Sequence, residues 1–213
     1  MKILLQNKNF VIANNSLISI NSDNIAENGN LIRIVKPKLT IIKDITRATI
    51  ALITLGGVVP KSNPDNIPVS ASTIYKKYSI NGIEDLTSDN YETIDSGFDP
   101  ADVNADPDRM LPIDAMRDLE KKGEIYALYG YFYTSSGTGM AVATANTLGA
   151  NIATELKNTN VNGVILTCGD GTATRAGATI CKKIEEVLLK PAVIVTALSP
   201  VAKTVGANRI VVG

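Results

Sequence analysis

The apolar positions of this chain follow two different patterns. In the first forty-odd residues, short runs (Leu17-Ile18-Ser19-Ile20, Leu31-Ile32-Arg33-Ile34-Val35 and Thr40-Ile41-Ile42) are broken by Asn, Asp and Gly. Short runs bounded by turn formers predict strands and hairpins, and Pro37 closes the second run. Residues 1–47 are therefore expected to form a small β arm, and residues 48–213 a separate α/β domain.

From Ala48 the pattern changes. Ala48 to Leu55 is almost continuously apolar and ends in Gly56-Gly57, as a strand buried on both faces would. Residues 57–110 then carry Pro60, Pro64, Pro68, Pro100 and Pro107 among many Asn, Asp and Ser, and read mostly as loop. Long ordered loops in compact domains tend to carry function. A helix follows, with Pro112 and Asp114 in its first turn, Ile113, Met116 and Leu119 on one face, Lys121-Lys122 in its last turn and Gly123 at its cap.

Ile125 to Tyr133 reads as a strand, and Ser135-Ser136-Gly137-Thr138-Gly139 as a turn. The next helix places Val142, Ala145, Leu148, Ile152 and Leu156 inward. Gly163 to Thr167 is a strand, and Thr172 to about Leu189 a helix with Ala176, Ile180, Ile184 and Val187 on one stripe. Val193–Ala197 and Ile210–Val212 complete the set. Repeated β-loop-α units predict a Rossmann-like α/β fold, a mainly parallel sheet with helices on both faces. Ligands of such folds lie at the carboxyl ends of the strands.

Composition narrows the chemistry. The 213 residues are 45% hydrophobic and 20% charged, which is globular, with 21 basic and 21 acidic side chains. With no basic excess, neither a nucleic-acid nor a membrane partner is expected. No apolar run approaches bilayer length, the first residues lack a signal-peptide pattern, and a cytoplasmic location is expected. There is no histidine, which removes Ser-His triads, histidine general bases and histidine metal sites. Two cysteines do not make a disulfide framework. Neither a cofactor nor a metal is expected.

Three loops fall at strand ends: Gly56 to Asp65, Ser135 to Gly139, and Cys168-Gly169-Asp170-Gly171-Thr172. The Ser135–Gly139 turn offers N–H groups and hydroxyls before a helix, a generic cradle for a phosphate or carboxylate. It equally suits a Gly-rich turn with a hydroxyl cap. It has neither the Lys of a phosphate-binding loop nor the third Gly of a dinucleotide fingerprint. In the Cys168–Thr172 turn, Asp170 or Thr172 suits an N-cap. The turn also looks like the Asp-x-Asp-Gly-Thr motif of the haloacid dehalogenase phosphatases, but Cys168 occupies the nucleophile's place. A thiolate at Cys168 would be opposed by Asp170. Cys168 is expected to be a small half-buried residue, too far from Cys181 to pair with it.

This last turn carries a resemblance. Gly163-Val164-Ile165-Leu166-Thr167 with Asp170-Gly171-Thr172-Ala173-Thr174-Arg175-Ala176-Gly177-Ala178-Thr179 resembles the selenoprotein B family of the glycine, sarcosine, betaine and D-proline reductases, where the pattern is Sec-Gly-Thr-Cys-x-Arg, often followed by Cys-Gly-Ala-Thr. Gly56-Gly57-Val58-Val59-Pro60-Lys61-Ser62-Asn63-Pro64-Asp65 is similar to that family's Gly-Gly-Leu-Val-Pro-Lys-Gly-Asn-Pro-Asp. Leu111 to Leu119 is similar to its Pro-x-Asp-x-x-Arg-x-Leu helix, and Gly206 to Val211 to its tail. The resemblance spans roughly residues 48–213.

It implies an oxidoreductase of amino-acid fermentation, Stickland metabolism. In such a system a selenolate attacks the α-carbon of an amino acid held on the pyruvoyl group of a partner subunit. The C–N bond is cleaved reductively, and the selenium then pairs with a nearby cysteine. This chain departs at the decisive positions. Asp170 stands at the selenocysteine, Ala173 at the resolving cysteine and Ala176 at a second cysteine; a His-Gly-Gly-Tyr-Asp block reads Asp95-Ser96-Gly97-Phe98-Asp99. A carboxylate cannot cycle between selenolate and selenyl-sulfide.

The expectation is a redox-inactive accessory or scaffold subunit in a D-proline- or glycine-type reductase system. It would associate with a pyruvoyl-type subunit or its proprotein, as a homo- or hetero-oligomer. Asp170 and Ala173 mark the old catalytic positions. Ser135, Ser136, Gly137, Thr138, Gly139, Gly169, Gly171 and Thr172 are expected around any small amino-acid-like ligand. The alternatives are an enzyme of altered chemistry that uses Asp170, and a module that binds a small carboxylate.

Overall fold

The computed structural model describes residues 10–13, 16–19 and 40–213. By contact density the chain divides into two units, Met1–Leu39 and Thr40–Gly213. In the first, β1 (Phe10–Ala13) pairs antiparallel with β2 (Ser16–Ser19), Phe10 opposite Ser19. The Leu31–Val35 run lies outside the described residues. Thr40-Ile41-Ile42, expected as a strand, is not one. Its Thr40 N–H bonds the Leu189 carbonyl at 2.8 Å and Ile41 is 73% exposed; Ile42 alone of the three packs against a core, and the run joins no ladder.

The second unit is built on six strands. They are β3 (Thr49–Thr54), β5 (Lys76–Ser79), β7 (Ala127–Thr134), β8 (Val161–Thr167), β9 (Ala192–Val195) and β10 (Ile210–Val211), in the spatial order β10-β9-β8-β3-β7-β5. All neighbours are parallel except the edge strand β5, which runs antiparallel to β7. Every residue of the central strand β3 is buried, as its apolar run Ile50–Ile53 between two threonines leads one to expect. A separate two-stranded ladder joins β4 (Val58–Pro60) to β6 (Tyr91–Thr93) antiparallel.

The alternating faces of the strands sort two cores. Ala51, Ile53 and Leu55 point to one side with Val164 and Leu166. There they meet Ala145, Leu148 and Ile152 of α3 (Val142–Leu156) and Ala176, Ile180 and Ile184 of α4 (Gly171–Leu188). Ile50, Leu52, Leu128 and Phe132 point the other way, onto Leu111 and onto Ile113 and Met116 of α2 (Ile113–Lys121). Each such buried Val, Leu, Ile, Met or Phe side chain contributes about 1.5–3 kcal/mol. The mainly parallel sheet with helices on both faces is therefore present.

Val142 does not point inward: at the first position of α3 it is 44% exposed, and the buried stripe starts one turn later at Ala145. Two further short helices, α1 (Ala101–Ala105) and α5 (Ser199–Val205), complete the unit. Among the described residues, no helix is long and apolar enough to cross a membrane.

Strand order fixes the site. β7, β3 and β8 are adjacent and parallel, so the loops leaving their carboxyl ends emerge side by side.

Candidate functional site

The three loops are bonded to one another. Leu55 donates its N–H to the Thr167 carbonyl at 2.8 Å, Gly137 to Leu55 at 2.9 Å, and Gly57 to Ser135 at 3.1 Å. Gly56 and Ser136 form an isolated bridge. Of the Gly56–Asp65 loop, only the two glycines make these bonds. Asp65 is committed elsewhere, to Lys76 at 2.8 Å and the Tyr78 hydroxyl at 2.9 Å.

Asp170 is the N-cap of α4. Its backbone is extended (φ −128°, ψ 179°), and its side chain turns back on the first helical turn. Oδ1 accepts the N–H of Thr172 at 2.6 Å, the N–H of Ala173 at 3.1 Å and the Thr172 hydroxyl at 2.8 Å. Oδ2 accepts the Thr138 hydroxyl. Burial pushes the carboxyl up, but the hydrogen bonds from Thr138, Thr172 and the two N–H groups outweigh it and hold Asp170 below the ordinary carboxylate range. An acid held down in this way is a good anion and a poor base.

Asp95 lies opposite, 4% exposed. Its Oδ2 accepts the Ser136 hydroxyl at 2.8 Å and the N–H groups of Gly137 at 2.8 Å and Thr138 at 3.2 Å. Its Oδ1 accepts the Gly97 N–H at 2.8 Å and the Thr138 hydroxyl at 2.5 Å. The Ser135–Gly139 turn thus cradles an anion, and the anion is the chain's own. Sequence reasoning places Asp95 only as a departure from a family block. The available signal was an acid entering the chain where a Ser/Thr/Gly turn offers unpaired donors.

The segment after Asp95 covers the Asp170 turn. A Cβ built on Gly97 would stand 2.5 Å from Asp170 Oδ2 and closer still to Thr138 Oγ1, so only glycine fits. Phe98 lies over Gly169 in the same way. Val69 fastens the other side, its carbonyl accepting the Ser136 hydroxyl at 2.7 Å and the Ser96 N–H at 3.1 Å.

The remaining predicted positions are placed as follows. Ser135 turns its hydroxyl to the Ile74 carbonyl at 2.7 Å. Gly139 donates its N–H to the Thr172 hydroxyl at 2.9 Å, tying the two turns together. Gly171 opens α4, and Ala173 is fully buried against Gly137. Cys168 is half-buried beside Thr174 and the Val195 carbonyl. Burial pushes its thiol up, against hydrogen bonds from Thr174 and Thr196, and the charge of Asp170 adds to the rise. Cys181 is buried, and both cysteines are free. Among the described residues, no group of three or more acidic, cysteine or histidine side chains could hold a metal ion.

The model of the glycine/sarcosine/betaine reductase selenoprotein B family matches residues 31–169. The chain is 49% identical over 175 residues to glycine reductase complex component B subunit gamma of Carboxydothermus hydrogenoformans, an overlap of 82% of this chain and 40% of that protein. It is 46% identical over 170 residues to betaine reductase complex component B subunit beta of Peptoclostridium acidaminophilum, covering 80% of this chain and 39% of that one. Identity to D-proline reductase subunit gamma of Acetoanaerobium sticklandii is 32% over 176 residues, or 80% of this chain and 69% of that one. The chain thus spans about 40% of the length of the first of these relatives. No solved structure matches it.

Proposed function

The chain belongs to the glycine/sarcosine/betaine reductase selenoprotein B family, and from that premise we propose that it is an accessory subunit that keeps the family's scaffold without its selenium chemistry. The carrying observation is the state of Asp170. At the position that the resemblance gives to selenocysteine, the side chain is engaged by four donors: the Thr172 N–H and hydroxyl, the Ala173 N–H and the Thr138 hydroxyl. It has become a structural cap. Ala173, at the resolving position, offers no second redox atom, and the acid's depressed pKa argues against a new role as general base.

In this reading the protein works in the cytoplasm as a component of a multi-subunit amino-acid reductase. It would hold a pyruvoyl-type subunit or its proprotein, or steady the assembly, while electrons pass through another subunit. A small amino-acid carboxylate would reach the Ser135–Gly139 cradle and the Gly169-Gly171-Thr172 turn only by displacing Asp95.

The test is co-purification of the tagged chain from cells that express such a reductase. The proposal expects a pyruvoyl-type subunit or its proprotein in the complex. It also expects no substrate-dependent oxidation of a dithiol donor by the isolated chain. Failure to recover such a partner, or reductase turnover by the chain alone, overturns it.

A further inference from the structure

A second feature lies at the far end of the β4–β6 ladder. The ladder runs from Val58 opposite Thr93 to Pro60 opposite Tyr91. Beyond Thr93 the chain continues into Asp95 and the site above. At the other end, a cavity of about 600 Å³ is lined by Pro60, Ile83, Glu84, Asp85 and Tyr91, among others.

Tyr91 is more than nine-tenths buried, at 8% exposure. Its ring packs on Phe132, 6.4 Å between centroids. Its hydroxyl has no hydrogen-bond partner among the described residues and is not one of their sealed, unpaired atoms, and Tyr91 lines the cavity. The hydroxyl is therefore free to bond a group from outside the chain, and Tyr91 borders a space large enough for a small molecule.

The charges on the wall say what kind of molecule. Glu84 is neutralised by Lys121 at 2.7 Å. Asp85 has no cation within ion-pair distance among the described residues. Its carboxyl instead meets that of Asp108, a 6% exposed acid whose two oxygens take the N–H groups of Leu86 at 2.6 Å and Asp114 at 2.8 Å. The cavity therefore presents one uncompensated carboxylate, one free phenolic oxygen, and the apolar surfaces of Pro60 and Ile83. That set is too poor in oxygen for a hard divalent ion, which needs six or more ligands. It suits a cation with N–H donors and a carbon body.

We infer that this cavity binds a small aliphatic ammonium ion, its N–H groups shared between Asp85 and the Tyr91 hydroxyl and its carbon chain against Pro60 and Ile83. This site is separate from the Asp95–Asp170 cluster and does not depend on the accessory role.

The test is calorimetric titration of the full chain with n-butylammonium chloride, with n-butanol and butyrate as the neutral and anionic probes of the same length. Butylammonium should bind at millimolar concentration, and the other two at least about tenfold more weakly, one charge-assisted hydrogen bond being worth that factor. Asp85→Asn and Tyr91→Phe should each weaken butylammonium by about tenfold or more. Both variants should stay folded, since Asp85 is exposed and the Tyr91 hydroxyl bonds nothing. Thermal unfolding checks this. No heat of binding from butylammonium, or equal affinity in the Asp85→Asn variant, overturns the inference.

Discussion

The carboxyl groups of Asp95 and Asp170 close on the same hydroxyl, that of Thr138. One hydroxyl carries one proton, so the two acids are joined through a donor that cannot fully serve both. Thr138→Val keeps the shape and removes the donor. It should destabilise the fold by about 1–3 kcal/mol, the cost of leaving buried acceptors unpaired. Urea unfolding reads the change, and an unaltered midpoint would show that the bridge carries no stability.

Asp170 should stabilise α4 in a pH-dependent way. Its folded pKa lies below the ordinary 3.8, so its contribution is present above that value and is lost as the pH falls through the lower, folded value. Asp170→Ala should cost about 1–2 kcal/mol at neutral pH, as cap removals do, and should unfold less steeply on acidification than the parent. Asp170→Ser, which can still cap, should recover part of the loss. Acid titrations followed by circular dichroism separate the three.

Asp108 should act in the opposite sense. Burial, with the neighbouring Asp114 and Asp85 carboxyls adding and two backbone N–H bonds opposing, raises its pKa from 3.8 to about 7. The stability tied to its proton is complete below 3.8 and is lost as the pH rises to about 7. Asp85→Asn offers an amide donor in place of a competing acid, so it should flatten that slope and stabilise the protein above neutrality by about 1 kcal/mol. Melting temperatures across that range test the sign.

Glu185 is 4% exposed and ties three segments together. It accepts the Ala192 N–H at 3.1 Å, the Asn208 amide at 2.5 Å and the Arg209 guanidinium. Glu185→Ala should cost about 3 kcal/mol, since it strands a partly buried charge and two donors. Hydrogen exchange at Ile194 and Thr196, whose N–H groups bond Arg209 and Val211, should rise first. Uniform exchange across the sheet would argue for global rather than local loosening.

Ala71 sits at φ 48°, where a Cβ is strained. It is held there because its N–H reaches the Thr138 carbonyl at 2.6 Å. Ala71→Gly should stabilise the protein by up to about 1 kcal/mol, read as a raised melting temperature.

What the sequence shows and hides follows from where each residue's partners lie. The buried strands β3 and β8 and the stripes of α3 and α4 are written in local periodicity, and they appear as expected except at Val142, which the first turn of α3 leaves exposed. β5, Lys-Lys-Tyr-Ser, is a polar edge strand made only by its pairing to β7, so no alternation announces it. α5 is short and follows directly on Leu198, leaving no stripe to read. Asp170 is legible as a cap from the Asp-Gly-Thr spacing. Asp95 is not, because the donors that give it meaning are forty residues away, in a turn brought to it by the parallel register of β3 and β7.

The filled cradle has a thermodynamic consequence. Asp95 is a tethered competitor, present at an effective concentration of millimolar or more. A free carboxylate must outbid a ligand that never leaves. Micromolar screens against the intact chain would therefore return silence even from a competent cradle. The informative reagent is the Asp95→Ala chain, in which the Ser136, Gly137 and Thr138 donors lose their internal guest and the affinity of that turn for a carboxylate becomes measurable.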